Sequence, residues 1–237
     1  MSVFDGSCAT IIAYFCAPQK TSHRFFPCLP FRSASWYTDS KLTDTEYPKE
    51  EIRMNYVVLF RGINVGGKNS VKMADLTQCL IALGLRSVQT YVQSGNAVFA
   101  SEHDERTLTP RIHAAFASRF GFESHVMIRS ADEMRALVER LPFSIEEIAA
   151  AAAADTQAEH LYVYFVEQTP TSDDVALLCS GDVTGDLLRA GDRALYLLCR
   201  QSVRNYKLAA RLGKKLGPST ARNWNTVRKL CEMLSDL

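Results

Sequence analysis

The chain has 237 residues, 47% of them hydrophobic and 22% charged, with a formal net charge of +1. That length and balance suit one or two globular domains with a sizeable core, and bulk charge argues for neither a nucleic-acid nor a membrane partner. No apolar run approaches the roughly 18 residues needed to cross a bilayer. The seven cysteines are scattered, odd in number and free of any C-x-x-C pair, so they argue against a disulfide framework or a zinc site. A reducing cytoplasm is the expected location.

Residues 1–53 show no sustained period of 3.6 or 2 and mix isolated aromatics with Pro18, Pro27 and Pro30. Their apolar run over 9–15 has no basic residue before it, which fits a secretory signal poorly. Asp39, Asp44, Glu46, Glu50 and Glu51 fit a mitochondrial presequence no better. The expectation is a disordered or mis-assigned extension, weighed against a targeting or regulatory segment, with the folded protein starting at Met54.

Residues 55–61 form a near-continuous β-favouring run and predict a mostly buried strand. A glycine-rich loop to about Lys72 precedes an amphipathic helix over 73–83, closed by Gly84. Strands over 88–92 and 97–100 join through Gln93-Ser94-Gly95-Asn96, a hairpin signal. A helix over 105–120, stopped by Gly121, and a strand over 124–128 complete βαββαβ, the split βαβ of a ferredoxin-like sandwich. Residues 54–130 are therefore expected to form one half of an α+β protein, and 131–237 a second, partly similar α+β half.

That second half opens with a helix over 131–141, where Ser130 and Glu133 stand at capping-box spacing. Helix or helical linker follows over 145–154, then a strand over 161–166 and a short helix over 172–178. A hairpin over 186–189 and 194–199 leads to two helices, over 203–216 and about 222–234. The order from Leu161 reads βαββαα, an echo of the first half without any visible sequence repeat.

Charge is segregated: 13 acidic and three basic residues lie between Asp132 and Asp192, whereas Arg200 to Cys231 holds nine basic residues and no acidic one. Arg61-Gly62-Ile63-Asn64-Val65-Gly66-Gly67-Lys68-Asn69 leaves a strand and precedes a helix. Its glycines permit positive φ and exposed N–H groups, as an anion cradle needs. Residues 62–68 match G-x-x-x-x-G-K, but Asn69 replaces the Ser/Thr that would hold magnesium, and the helix starts late. The loop reads equally as anion-binding or as a tight-packing turn.

Ser94-Gly95-Asn96 reads as ordinary hairpin chemistry. A second reading places Phe60 and Phe99 as base-stacking platforms on central strands, although the RNA-recognition pattern keeps only one of its aromatics. Arg204, Lys207, Arg211 and Lys214/Lys215 recur along one helical face, and Thr220, Arg222 and Asn223 follow Pro218 at a helix N-terminus. That is a setting for an anion or a solvated basic face beside a routine cap. Catalytic constellations are missing: His103, His113, His125 and His160 stand alone, and no H-E-x-x-H or G-x-S-x-G occurs.

From Met54 onward the chain resembles the bacterial domain-of-unknown-function family 1697. The resemblance rests on the 61–69 motif, Met73-Ala74-Asp75-Leu76, Tyr91 with Ser94-Gly95-Asn96, and Thr220 with Arg222-Asn223-Trp224-Asn225-Thr226-Val227. It implies a cytosolic α+β protein and no particular reaction. Where members tend to carry Ser-Lys-Leu, this chain has Tyr206-Lys207-Leu208.

The functional expectation is binding of a phosphate-bearing ligand, a nucleotide or nucleic acid, between the glycine loop and the C-terminal helices. Its candidate residues are Arg61, Asn64, Gly66, Gly67, Lys68, Asn69, Ser94, Asn96, Lys207, Thr220, Arg222, Asn223 and Asn225, with no cofactor or metal called for. The alternatives are an enzyme acting on a small anionic substrate at the same place, or a protein–protein module pairing the acidic segment with the basic helices.

Overall fold

The computed structural model describes residues 53–154, 156, 158–180, 186–199 and 208–237, all within one compact unit, Lys49–Leu237. Apart from Arg53, the expected extension lies outside the described residues, as does the start of the helix expected over 203–216.

The first sheet takes β1 (Met54–Phe60), β2 (Arg86–Tyr91), β3 (Asn96–Ser101) and β4 (Val126–Ser130) in the order β2-β3-β1-β4, all antiparallel. The central strands are buried on both faces, which is why β1 reads as an unbroken apolar run rather than an alternation. The helices α1 (Met73–Ala82) and α2 (Glu105–Phe120) cover one face of this sheet. Asp104 starts α2 by accepting from Thr107 N, and Gly121 ends it at φ 76°. β4 runs two residues later than expected because its last residue, Ser130, also caps α3 (Ala131–Glu139) through the reciprocal Ser130/Glu133 box.

A connecting helix, α4 (Ile145–Ala154), leads to the second sheet. Its strands are β5 (Leu161–Val166), β6 (Leu187–Gly191), β7 (Ala194–Leu198) and β8 (Ser219–Asn223), in the order β6-β7-β5-β8. The helices α5 (Ser172–Cys179) and α6 (Leu208–Lys215) belong to its outer side, and α7 (Trp224–Ser235) follows β8. The expected βαββαα is thus corrected to βαββαβ followed by a helix. Residues 219–223 are a strand pairing antiparallel with β5, not a loop entering a helix at Arg222. The sequence Ser-Thr-Ala-Arg-Asn after a proline carries turn-like residues, and its burial rests on polar side chains satisfied inside the protein.

Each half therefore repeats strand–helix–strand–strand–helix–strand–helix. Their inner faces share one core: Val57, Leu59 and Val98 from the first sheet, Val163, Phe165 and Tyr196 from the second, with Met134 and Leu137 of α3 and Val227 and Leu230 of α7. The stacking-platform expectation is overturned. Phe60 and Phe99 are fully buried beneath α1 and α2, Phe60 lying 4.8 Å from the Phe116 ring centroid.

Candidate functional site

The glycine loop is a stiff, solvent-exposed tongue. Val65 bridges to Lys68 across Gly66 and Gly67, both at positive φ (59° and 74°), which is the backbone of a two-residue hairpin tip. Asn64 N donates to Asn69 O at 3.0 Å, and Lys68 N donates to Val65 O at 3.1 Å. Two asparagines hold the tongue's base. Asn64, itself at φ 55°, donates from Nδ2 to Val71 O (2.9 Å) and Gln93 O (2.8 Å) and accepts from Val71 N (2.7 Å). Asn69, at φ 53°, donates to Gly62 O at 3.1 Å. Asparagine tolerates this left-handed backbone better than other residues with a β-carbon. With their side chains so used, both asparagines build the loop.

Arg222 joins this region to the second sheet. It is 7% exposed and donates to six protein oxygens. Nε reaches Asn96 Oδ1 (2.5 Å), Nη1 reaches Thr220 Oγ1 (2.7 Å) and Ala221 O (2.8 Å), and Nη2 reaches Phe60 O (2.9 Å), Ser94 O (3.0 Å) and Gly95 O (3.3 Å). All five N–H groups of the guanidinium are occupied. Burial pushes its pKa down to about 10. Asn96, fully buried, also donates to Tyr91 O and Ser94 Oγ, both at 3.0 Å. Gly95 is required where it stands, since an added Cβ would lie 2.6 Å from Ile63 Cδ1 at φ 79°.

The two motif segments therefore converge: Arg222, Thr220 and Asn96 are buried and bonded to one another, and Ser94, exposed, meets them through its carbonyl and hydroxyl oxygens. Asn223 caps α7 by accepting from Thr226 N at 2.9 Å, and Asn225 donates to Glu159 Oε1 at 2.9 Å. Lys207 lies outside the described residues. Of the expected cations described, Arg61 and Lys68 are exposed, together with Lys72, and none of the three has an ion-pair partner among the described residues.

A second polar cluster was not singled out by sequence. Arg193, in the β6–β7 turn at φ 47°, pairs with Glu105 (2.5 and 2.8 Å) and Glu133 (2.8 Å). Hydrogen bonding to Glu105 raises its pKa. Arg129, on β4 and 2% exposed, donates to Ile128 O (2.6 Å), Val166 O (2.5 Å) and Arg193 O (3.0 Å). A cavity of about 530 Å³ opens beside them, bordered by α2's first turns, β4, Glu167 and Arg193. At its edge His125 Nε2 is 3.0 Å from Glu167 Oε1, but not aligned for a hydrogen bond. The signal that could have found Arg129 is its place one residue before a helix cap, the same place Arg222 holds. No group of three or more metal-ligating side chains occurs among the described residues, and no helix there is long and apolar enough to cross a membrane.

A family model described as "Protein of unknown function (DUF1697)" matches residues 54–196, and the chain belongs to that family. A solved structure of the conserved bacterial protein SP0830 from Streptococcus pneumoniae is similar at 27% identity. The match covers 77% of this chain and 99% of that one, with a TM-score of 0.60. Comparison with curated proteins gives no match.

Proposed function

We propose that this member of the DUF1697 family binds a phosphate-bearing partner, nucleic acid in preference to a free nucleotide, along the face carrying the glycine tongue. The observation that carries this reading is the tongue itself. Arg61, Lys68 and Lys72 are exposed on or beside a hairpin held rigid by Asn64 and Asn69, with no carboxylate paired to them among the described residues. Cations fixed on a stiff support lose little entropy on meeting phosphates. Their exposure suits an extended partner lying across the surface better than a small substrate enclosed for chemistry. Arg222 contributes by holding β1, the 93–96 turn and β8 together beneath the tongue.

Fluorescence anisotropy with labelled single- and double-stranded oligonucleotides tests this. Affinity should fall steeply with salt, and Lys68→Ala should weaken binding to all sequences while lowering the salt slope by about one. Arg61→Ala should act similarly. Salt-independent binding, or a Lys68→Ala/Arg61→Ala protein that binds as tightly as the parent, would count against the proposal.

A further inference from the structure

The two buried arginines occupy corresponding positions, and each of Arg129's three contacts has a counterpart at Arg222. Strand register pairs Val57 with Arg129 and Val163 with Arg222, so β4 and β8 align residue by residue. Each arginine donates from Nη1 to the carbonyl of the residue before it: Ile128 at 2.6 Å, Ala221 at 2.8 Å. From Nη2 each donates to the last residue of the other half's first strand: Val166 at 2.5 Å, Phe60 at 2.9 Å. Nη2 of each also meets the positive-φ residue closing the adjoining hairpin: Arg193 at 3.0 Å, Gly95 at 3.3 Å.

Here the correspondence breaks. Arg222 has two further side-chain acceptors, Asn96 Oδ1 for Nε and Thr220 Oγ1 for Nη1. The same register puts Ala194 where Asn96 stands, because Leu59 pairs with Asn96 and Phe165 with Ala194. Two residues before Arg129, in the place of Thr220, stands Met127. Neither a methyl group nor a thioether replaces those oxygens. Nε–H and one Nη1–H of Arg129 are left without an acceptor among the described residues, in a side chain that has no carboxylate at ion-pair distance. These donors are accessible from the cavity that Arg129 lines, where a ligand's acceptors can reach them.

Arg129 and Met127 both line the cavity of about 530 Å³ described above, a volume within the range of small-molecule sites. We propose that this cavity binds a small zwitterion of the amino-acid type, whose carboxylate supplies Arg129 with the two acceptors that Asn96 and Thr220 supply to Arg222. Charge decides between a zwitterion and a simple anion. Arg193 is already engaged by Glu105 and Glu133, while Asp104 and Glu167 also line the cavity. Arg106 lines it too, so both signs of charge are present, and a ligand carrying an ammonium beside its carboxylate complements both where a simple anion answers only one. Desolvation, which already pushes the Arg129 pKa down to about 10, adds to the pull on a carboxylate.

The test is a thermal-shift and calorimetric titration of the full chain with the standard L-amino acids, one at a time, and with acetate and inorganic phosphate as comparators. At least one amino acid should raise Tm saturably, and acetate and phosphate should not at equal concentration. Met127→Thr combined with Ala194→Asn builds the missing acceptors into the protein, so it should weaken that binding at least tenfold without lowering Tm. Should that variant fail to fold, Asp104→Asn with Glu167→Gln, on the cavity rim, should weaken amino-acid binding at least tenfold. No response to any amino acid, undiminished affinity in the folded variants, or equally tight binding of acetate or phosphate would overturn the assignment.

Discussion

The two ends of the interface between the halves are built on one plan and finished differently. At one end Arg222 is enclosed by six neutral oxygens, and a glycine closes the hairpin beside it. At the other, Arg129 meets three carbonyls, and Arg193 takes the glycine's place and recruits Glu105 and Glu133. A buried arginine can thus be kept by backbone and side-chain oxygens that use every donor, or by backbone carbonyls beside an open cavity. The first arrangement makes a structural joint, and the second leaves recognition capacity unspent.

The sharpest way to break that comparison is to remove each arginine in turn. Arg222→Met leaves Phe60 O, Ser94 O, Asn96 Oδ1 and Thr220 Oγ1 without their donor, and should destabilise the protein by roughly 3–5 kcal/mol. Arg129→Met frees fewer acceptors and should cost about 2 kcal/mol. Urea denaturation of both variants measures the difference. Equal losses would mean that the extra acceptors around Arg222 contribute nothing.

A smaller effect separates the two hairpin positions. Gly95→Ala forces a β-carbon against Ile63 Cδ1 at 2.6 Å and keeps a left-handed backbone. It should destabilise by about 2 kcal/mol. The counterpart change, Arg193→Gly, relieves a left-handed φ of 47° while removing half-exposed ion pairs. These terms oppose each other, each worth about 1 kcal/mol, so the net change should lie near zero. A large loss at Arg193 would show that its carboxylate pairs hold the interface rather than merely line the cavity.

The difference between the ends also explains what the sequence made legible. The strand–helix order of the first half was readable because its apolar residues keep clean periods and its helices stop at glycines, Gly84 and Gly121, that take a left-handed backbone. β8 was not, since Ser219, Thr220 and Arg222 are polar residues whose burial depends on partners distant in sequence, up to 162 residues for Phe60. The glycine motif was visible, but its role was read from charge and residue type alone. Sequence reports a charge and not the carbonyls around it, so Arg222 looked like a ligand contact, and Arg129, inside an apolar strand, did not stand out.

The smallest expected effect concerns acid, which should loosen the halves unequally. Hydrogen bonding to Arg189, with help from Ser144 N, holds the Glu147 carboxyl below its ordinary value of 4.5. The backbone and hydroxyl of Thr171 hold Asp174 below 3.8, and in the first half the side chain and N–H of Thr107 do the same for Asp104. A carboxyl whose pKa is lower folded than unfolded stabilises fully above the unfolded value, and that contribution is lost as pH falls through the folded one. Glu146, lowered through Ser144, adds to the second half's share. Amide protection in α4, whose carboxyls are glutamates, should therefore begin to decline at higher pH than in α5 or α2, as pH drops below about 4.5, the effect being modest because these carboxylates are solvent-screened. Hydrogen exchange corrected for intrinsic rates reads it out. Glu146→Gln with Glu147→Gln should remove the earlier decline, and an unchanged difference between α4 and α2 would trace it to something other than these carboxyls.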